Sequence, residues 1–264
     1  MNVILSFLSR LLGAAARRDA CAPIFLLLCV LPTFVFAQKN PLAQTRQLIV
    51  VTTPNWDAVD GALQRYERGR RGPWRAVGES VAVVVGRTGL AWGRGEVEFP
   101  TNEGPVKKEG DGKSPAGLFR LGTAFGYALK ASGWRVPYEQ MTRTYECVDD
   151  SNSKYYNEIL DGAKISAKDW NSSEQMRRDD EQYRWGLLVK HNYGPNRQPQ
   201  GGSCIFLHVW LGAGQGTAGC TAMAEEKLLD VLRWLRSSAR PVLLQLTEAE
   251  LARTKTTRRA WRLP

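Results

Sequence analysis

Few residues in this chain can act as acid, base or nucleophile: two histidines, His191 and His208, and five cysteines. Ser203-Cys204-Ile205-Phe206-Leu207-His208-Val209-Trp210 reads as a core strand in which Cys204, Phe206 and His208 share one face. Four steps along a regular strand separate Cys204 from His208 by about 13 Å, too far for a hydrogen bond. His208 stands near the strand end, where side chains meet loops. Past the Gly-rich loop Leu211–Gly219 comes Cys220, and Ala222–Arg236 then carries Leu228, Val231, Leu232 and Leu235 at helical spacing. With Thr221 as N-cap, Cys220 sits just ahead of the first turn, where free amides and the helix dipole favour a thiolate. Gly219 lets the backbone approach a substrate and take whatever φ the turn needs. The amides around Cys220 are candidates for an oxyanion hole. A thiol met by an imidazole is the arrangement that nucleophilic acyl transfer requires.

Other readings of the same residues stay open. A lone cysteine is often a small buried hydrophobe. Zinc held by Cys204, His208 and Cys220 is a different chemistry. Their spacing and the lack of a Cys-x-x-Cys pair weigh against it, so no metal and no cofactor is expected. A Cys147–Cys204 disulfide is available in an oxidising compartment and leaves Cys220 as the odd thiol. His191, in Lys190-His191-Asn192-Tyr193, reads as a surface or structural residue that could also orient something near the site.

The elements that must position these groups follow from composition and pattern. With 43% hydrophobic and 23% charged residues, 25 Gly and 13 Pro, the 264-residue chain is neither disordered, collagen-like nor a coiled coil. Residues 1–37 read as a secretory signal, with Arg10, Arg17 and Arg18, an apolar run from Ile24 to Phe36, and a cleavage site at Val35-Phe36-Ala37. A retained N-terminal anchor is the rival, although the run falls short of the roughly 20 residues a spanning helix needs. Either way the body of the protein is exported, to the periplasm or cell wall. Loss of that segment removes three arginines and one aspartate and takes the net charge from +10 to +8. Much of the excess lies in the tail at Arg253, Lys255, Arg258, Arg259 and Arg262, either a solvated helix end or a peripheral contact with an anionic envelope surface. No Walker loop, zinc-finger spacing or RNA-binding aromatic motif is present, so nucleic acid is not an expected partner.

Along the chain, residues 38–79 predict a strand at Gln47–Thr52 and a helix opening at Thr53–Asn55 and running to about Arg68. Short strands follow at Trp74–Val77, Val81–Val85 and Leu90–Trp92, with Gly86–Gly89 as a hairpin turn, and Leu118–Leu121 after the loop Asn102–Gly117. Val136–Glu181 is polar and irregular, the mark of a functional segment or lid. Tyr183–Lys190 and Pro241–Leu246 read as strands. Thr247 with Glu250 forms a capping box for a basic C-terminal helix over 247–264. The succession is mostly β with a few helices (α+β).

His208 followed by Thr217-Ala218-Gly219-Cys220, after Gly110-Asp111-Gly112-Lys113-Ser114-Pro115-Ala116-Gly117-Leu118-Phe119, resembles the L,D-transpeptidase (YkuD-like) catalytic domain family over roughly residues 80–246. The resemblance implies a β-rich fold of that type and cysteine acyl transfer on peptidoglycan stem peptides. By it, Cys220 attacks a carbonyl whose neighbour is a D-amino acid, with His208 as proton acceptor and then donor. An amine acceptor gives a 3→3 cross-link, whereas water makes the protein an L,D-carboxypeptidase or thiol hydrolase of wall peptides. An inactive peptidoglycan-binding protein is the reading from another class. Thr217, Trp210, Tyr155 and Asn157 are the candidate substrate contacts. The chain departs from the family pattern at Val209-Trp210, where Gly usually follows the His, and at Ala218 and Ala222, where His and Arg are common.

Overall fold

The computed structural model describes residues 40–264 except 71, 100–102 and 131, so the signal segment expected over residues 1–37 lies outside the described residues. In chain order the first strands are β1 (Gln47–Thr53), β2 (Asp60–Glu67), β3 (Arg75–Val84), β4 (Leu90–Trp92), β5 (Ser114–Gly126) and β6 (Tyr138–Gln140). Next come β7 (Tyr145–Val148), β8 (Ile159–Asp161), β9 (Ser173–Gln175), β10 (Gly186–Val189), β11 (Phe206–Val209) and β12 (Thr221–Met223). Helix α1 (Glu225–Trp234), strand β13 (Val242–Thr247) and helix α2 (Glu248–Thr257) complete the order.

Leu48, Ile49, Val50 and Val51 make β1 apolar on both faces, which suits a strand with neighbours on both sides and cover above and below. It pairs in parallel with β13, Leu48 opposite Val242, and antiparallel with β2. The main sheet runs β10-β11-β12-β3-β2-β1-β13-β5-β4, and β10 also pairs with β5, which closes the order into a barrel-like ring. Leu48, Ile49, Leu63, Leu118, Phe119, Leu207, Leu243 and Leu244 fill its core. On α1, Leu228, Val231 and Leu232 are fully buried, as their spacing predicts.

The helix expected from Asn55 to Arg68 is instead β2. Its residues are good helix formers, but pairing with β1 on one side and β3 on the other overrides a weak local preference. Gly61 permits the close approach: a Cβ there would lie 2.7 Å from the Thr52 carbonyl oxygen. The two strands expected between Trp74 and Val85 are one, β3. Its pairing with β2 shifts register between Leu63 and Arg65, beside Gly78 at φ +66°. At the C-terminus Thr247 caps α2, its hydroxyl accepting from the Glu250 amide, but the helix expected over 247–264 ends at Thr257 and a short 3-10 turn, Arg259–Trp261, follows.

The irregular stretch Val136–Glu181 holds a second, three-stranded sheet, β8-β7-β9. Buried Glu146 organises it, accepting from Lys168, from Trp170 Nε1 at 3.0 Å and from Ser173 Oγ at 2.6 Å. A disulfide between Cys147 of β7 and Cys204, just before β11, ties this sheet to the barrel. Phe125, Met141, Met176, Tyr183, Phe206 and Cys220 pack with the bridge in a second apolar cluster.

Candidate active site

Strands β11 and β12 run parallel with Leu207 opposite Thr221 and His208 opposite Ala222. Cys220, one residue ahead of β12, therefore falls beside Phe206. Strand rise and spacing then put its Cα roughly 8 Å from that of His208. Parallel neighbours need a crossover, and the loop from Trp210 to Cys220 provides it. Both side chains line one cleft of about 590 Å³.

The turn before the nucleophile candidate is held from several sides. Ser114 Oγ and Thr217 Oγ1 both donate to the Cys220 carbonyl, at 2.7 and 2.6 Å. Ser114 Oγ accepts from the Gly86 amide at 2.8 Å, and Thr217 Oγ1 accepts from the Gly219 amide at 3.1 Å. The Thr217 backbone bonds to Val85 and Arg87, anchoring the loop to the end of β3. Gly219 has no left-handed φ; its lack of a side chain matters because a Cβ would stand 3.2 Å from the Lys113 carbonyl and 3.3 Å from Ile205 Cδ1.

His208 is 3% exposed, and its Nδ1 lies 2.7 Å from the Val209 carbonyl. A carbonyl only accepts, so Nδ1 carries the proton and Nε2 keeps a free lone pair. Burial lowers the imidazole pKa to about 4, leaving it neutral at neutral pH. The Cys220 thiol is 6% exposed; burial, and then the Glu174 carboxylate, push its pKa well above the ordinary thiol range. Its sulfur accepts from the Phe206 amide at 3.2 Å and donates to the Cys204 carbonyl at 3.3 Å.

The expected thiolate at a helix terminus is overturned. Thr221 is in β12, its hydroxyl bonded to Gln245 at 2.7 Å, and α1 begins only at Glu225 with Ala224 as N-cap. Pairing with β11 and β3 extends the chain for three residues past Cys220, moving the helix dipole away from the sulfur. The disulfide to Cys147 removes Cys204 from the alternative zinc set of Cys204, His208 and Cys220.

The four candidate substrate contacts fare differently. Thr217 lines the cleft, but its hydroxyl braces the turn. Asn157 is buried with all its polar atoms engaged, donating to the carbonyls of His191 and Asn192 and accepting from the Cys204 amide. Tyr155 packs against Trp170 with ring centroids 5.6 Å apart, away from the cleft, and Trp210 does not line it either. His191 is structural: Nδ1 accepts from the Arg94 amide, Nε2 meets the Gly201 carbonyl, and burial lowers its pKa to about 3.

The cleft also holds residues the sequence reading did not single out. Tyr183 stacks edge-on against His208 with centroids 5.3 Å apart, and its hydroxyl donates to Glu174 at 2.6 Å. Burial raises the Glu174 pKa. Arg178, over the Tyr183 ring at 5.3 Å, is held by Asp180. Lys107, almost fully buried, pairs with Asp111. Asp111 and Ser114 lay in the stretch that carries the resemblance, and Glu174 and Arg178 in Val136–Glu181, the segment read as functional; nothing singled out Glu174 or Tyr183 individually, because β9 and the turn before β10 meet Cys220 only in three dimensions.

No curated protein matches the chain. The L,D-transpeptidase catalytic domain family, YkuD, matches residues 59–244, from the end of the β1–β2 connection to within β13. A match over that much of the sequence, together with the β-rich barrel and the His208 and Cys220 cleft it encloses, makes this chain a member of the YkuD L,D-transpeptidase catalytic domain family.

Proposed function

We propose that the protein is an exported L,D-transpeptidase that acts on peptidoglycan stem peptides through a Cys220 thioester and forms 3→3 cross-links. The observation that carries this reading is that Cys220 and His208, the latter with its proton on Nδ1, line one cleft within the family match. Family membership supports peptidoglycan peptides as substrate. Export to the periplasm or wall is inferred from residues 1–37, and the basic tail suits peripheral contact with the envelope.

The resting pair is neutral: burial disfavours both the thiolate and the imidazolium. Proton transfer from sulfur to His208 Nε2 is therefore coupled to attack on the substrate carbonyl carbon. The carbonyl π electrons move to oxygen, and the Cys220 N–H is the proposed donor to that oxyanion, since the Gly219 amide is bonded to Thr217. Collapse breaks the C–N bond, and the imidazolium, a strong acid in this buried setting, protonates the departing amine of the D-amino acid. An amine of a second stem peptide then attacks the thioester carbonyl and gives a proton to His208; collapse breaks the C–S bond, and the imidazolium returns the proton to the Cys220 sulfur. Water in the same place yields the carboxypeptidase product.

The test is incubation of the purified protein with stem tetrapeptides, read by mass spectrometry. The expected result is loss of the terminal D-amino acid, a thioester adduct on Cys220, and a dimeric product; Cys220→Ala abolishes all three. Release without dimer replaces transpeptidation by hydrolysis. Peptide binding with no turnover overturns the enzymatic reading in favour of a binding protein.

A further inference from the structure

Several constraints on the Cys220 sulfur meet at Cys204. This residue holds φ +54°, in the left-handed region that side chains other than Asn and Asp seldom occupy. Its side chain is bonded to Cys147, with the two Cα atoms 6.0 Å apart. Its amide donates to Asn157 Oδ1 at 2.9 Å, and Asn157, itself left-handed at φ +61°, is fixed by the His191 and Asn192 carbonyls at 2.9 and 2.8 Å. Its carbonyl receives the Cys220 S–H at 3.3 Å. Two residues on, the Phe206 amide donates to the same sulfur at 3.2 Å, and two residues further on stands His208. One short piece of chain thus supplies the sulfur with an acceptor and a donor and carries the imidazole.

The left-handed conformation disfavours an ordinary side chain by about tenfold as an equilibrium ratio. Without a constraint, Cys204 would relax toward extended backbone and turn its carbonyl away from the sulfur. We propose that the Cys147–Cys204 disulfide, together with Asn157, is a positioning device for the Cys220 thiol: it holds Cys204 in the left-handed conformation that aims its carbonyl at the sulfur. This rests on Cys220 being the nucleophile. It makes Cys204 and Cys147 positioning residues, and the nucleophile's setting is complete only once the bridge has formed, which an oxidising compartment allows.

The test is the rate of Cys220 alkylation by iodoacetamide across the neutral-to-alkaline range, mapped by mass spectrometry. It compares the parent with two bridge-less proteins, Cys147→Ser/Cys204→Ser and Cys147→Ser/Cys204→Asn. The other groups bearing on this sulfur are Glu174 on β9, Tyr183 in the turn before β10, Lys107 in the loop before β5 and His208 on β11. All are common to the three proteins, so the comparison between the two variants isolates residue 204, and comparison with the parent adds the loss of the bridge. The serine pair should label about tenfold faster, the left-handed penalty read as a ratio. Its pH midpoint should move down, because the thiol has lost the carbonyl that holds its proton. The asparagine pair, which tolerates the left-handed region, should keep the parent's rate and midpoint. A bridge that only staples the small sheet lowers the Tm of both variants alike and either leaves both labelling profiles unchanged or shifts them equally; either pattern overturns the proposal. If the serine pair does not fold, Cys147→Ser/Cys204→Ala takes its place as the bridge-less protein with an ordinary side chain at 204: labelling faster than in the asparagine pair supports the proposal and equal labelling sinks it. Stem-peptide turnover that survives Cys220→Ala would instead overturn the proposed function and leave these labelling results standing.

Discussion

At the Cys220 sulfur, burial and the Glu174 carboxylate act in the same direction, both favouring S–H over the thiolate. The expectation of a helix-activated thiol therefore reverses: the folded setting holds this cysteine in its S–H form. Native Cys220 should alkylate more slowly at about pH 8.5, the usual thiol pKa, than the same residue in urea. Glu174→Gln removes the negative neighbour, so labelling should speed up and its midpoint move toward lower pH. An unchanged midpoint would show that the carboxylate does not bear on the sulfur. At His208 the bond from Nδ1 to the Val209 carbonyl fixes the tautomer. His208→Ala should thus lower stem-peptide turnover while leaving the Cys220 turn in place, checked by kcat alongside Tm.

At the scale of elements, Cys220, the proposed nucleophile, is positioned by the contact between the start of β5 and the loop before β12. Ser114 bridges the Gly86 amide and the Cys220 carbonyl, so Ser114→Ala leaves the buried Gly86 amide without its partner, while the carbonyl keeps the bond from Thr217. Buried groups left in that state cost about 1–3 kcal/mol. Thermal unfolding of Ser114→Ala should show a loss in that range together with reduced turnover. A stable variant of low turnover would assign Ser114 to alignment of the nucleophile alone. The α1 helix acts from behind the site: Leu228 is fully buried, and Leu228→Ala should destabilise by about 2–5 kcal/mol, read by denaturant unfolding. The periodicity of α1 and the capping box of α2 were both legible, because each depends on neighbours three or four residues away. The strand β2 was not, since its conformation depends on β1 and β3, neither of which its own residues announce.

For the whole molecule, both histidines are buried and neutral, and this ties stability to acid. Their folded pKa values, about 4 for His208 and about 3 for His191, lie below the unfolded value of 6.5. The unfolded chain then binds more protons in between. The stability they confer is complete above about pH 6.5 and is lost as the pH falls through the folded values. Tm should stay level near neutrality and decline from about pH 6 toward pH 4, less steeply in His191→Gln. A Tm that does not fall over that interval would mean that these sites are open to water.

What the sequence by itself determined is what short-range pattern encodes: a β-rich chain, the amphipathic α1, the capped α2, and the order of His208 and Thr217-Ala218-Gly219-Cys220 that marks the family. The odd thiol was also readable, because three cysteines past residue 37 leave one over once a bridge forms. Tertiary structure alone decided the rest. Parallel pairing of β11 with β12 placed Cys220 beside Phe206 and carried the helix dipole away from it. The small sheet brought Glu174 toward the sulfur from 46 positions earlier in the chain. Asn157 and Tyr155, polar and aromatic in a loop, looked like substrate contacts, yet burial turned the first into a bracket for Cys204 and packing on Trp170 drew the second aside. The physical reason is common to all of these: charge state and hydrogen-bond partners depend on burial and on distant strands, and neither is a property of neighbouring residues in the sequence.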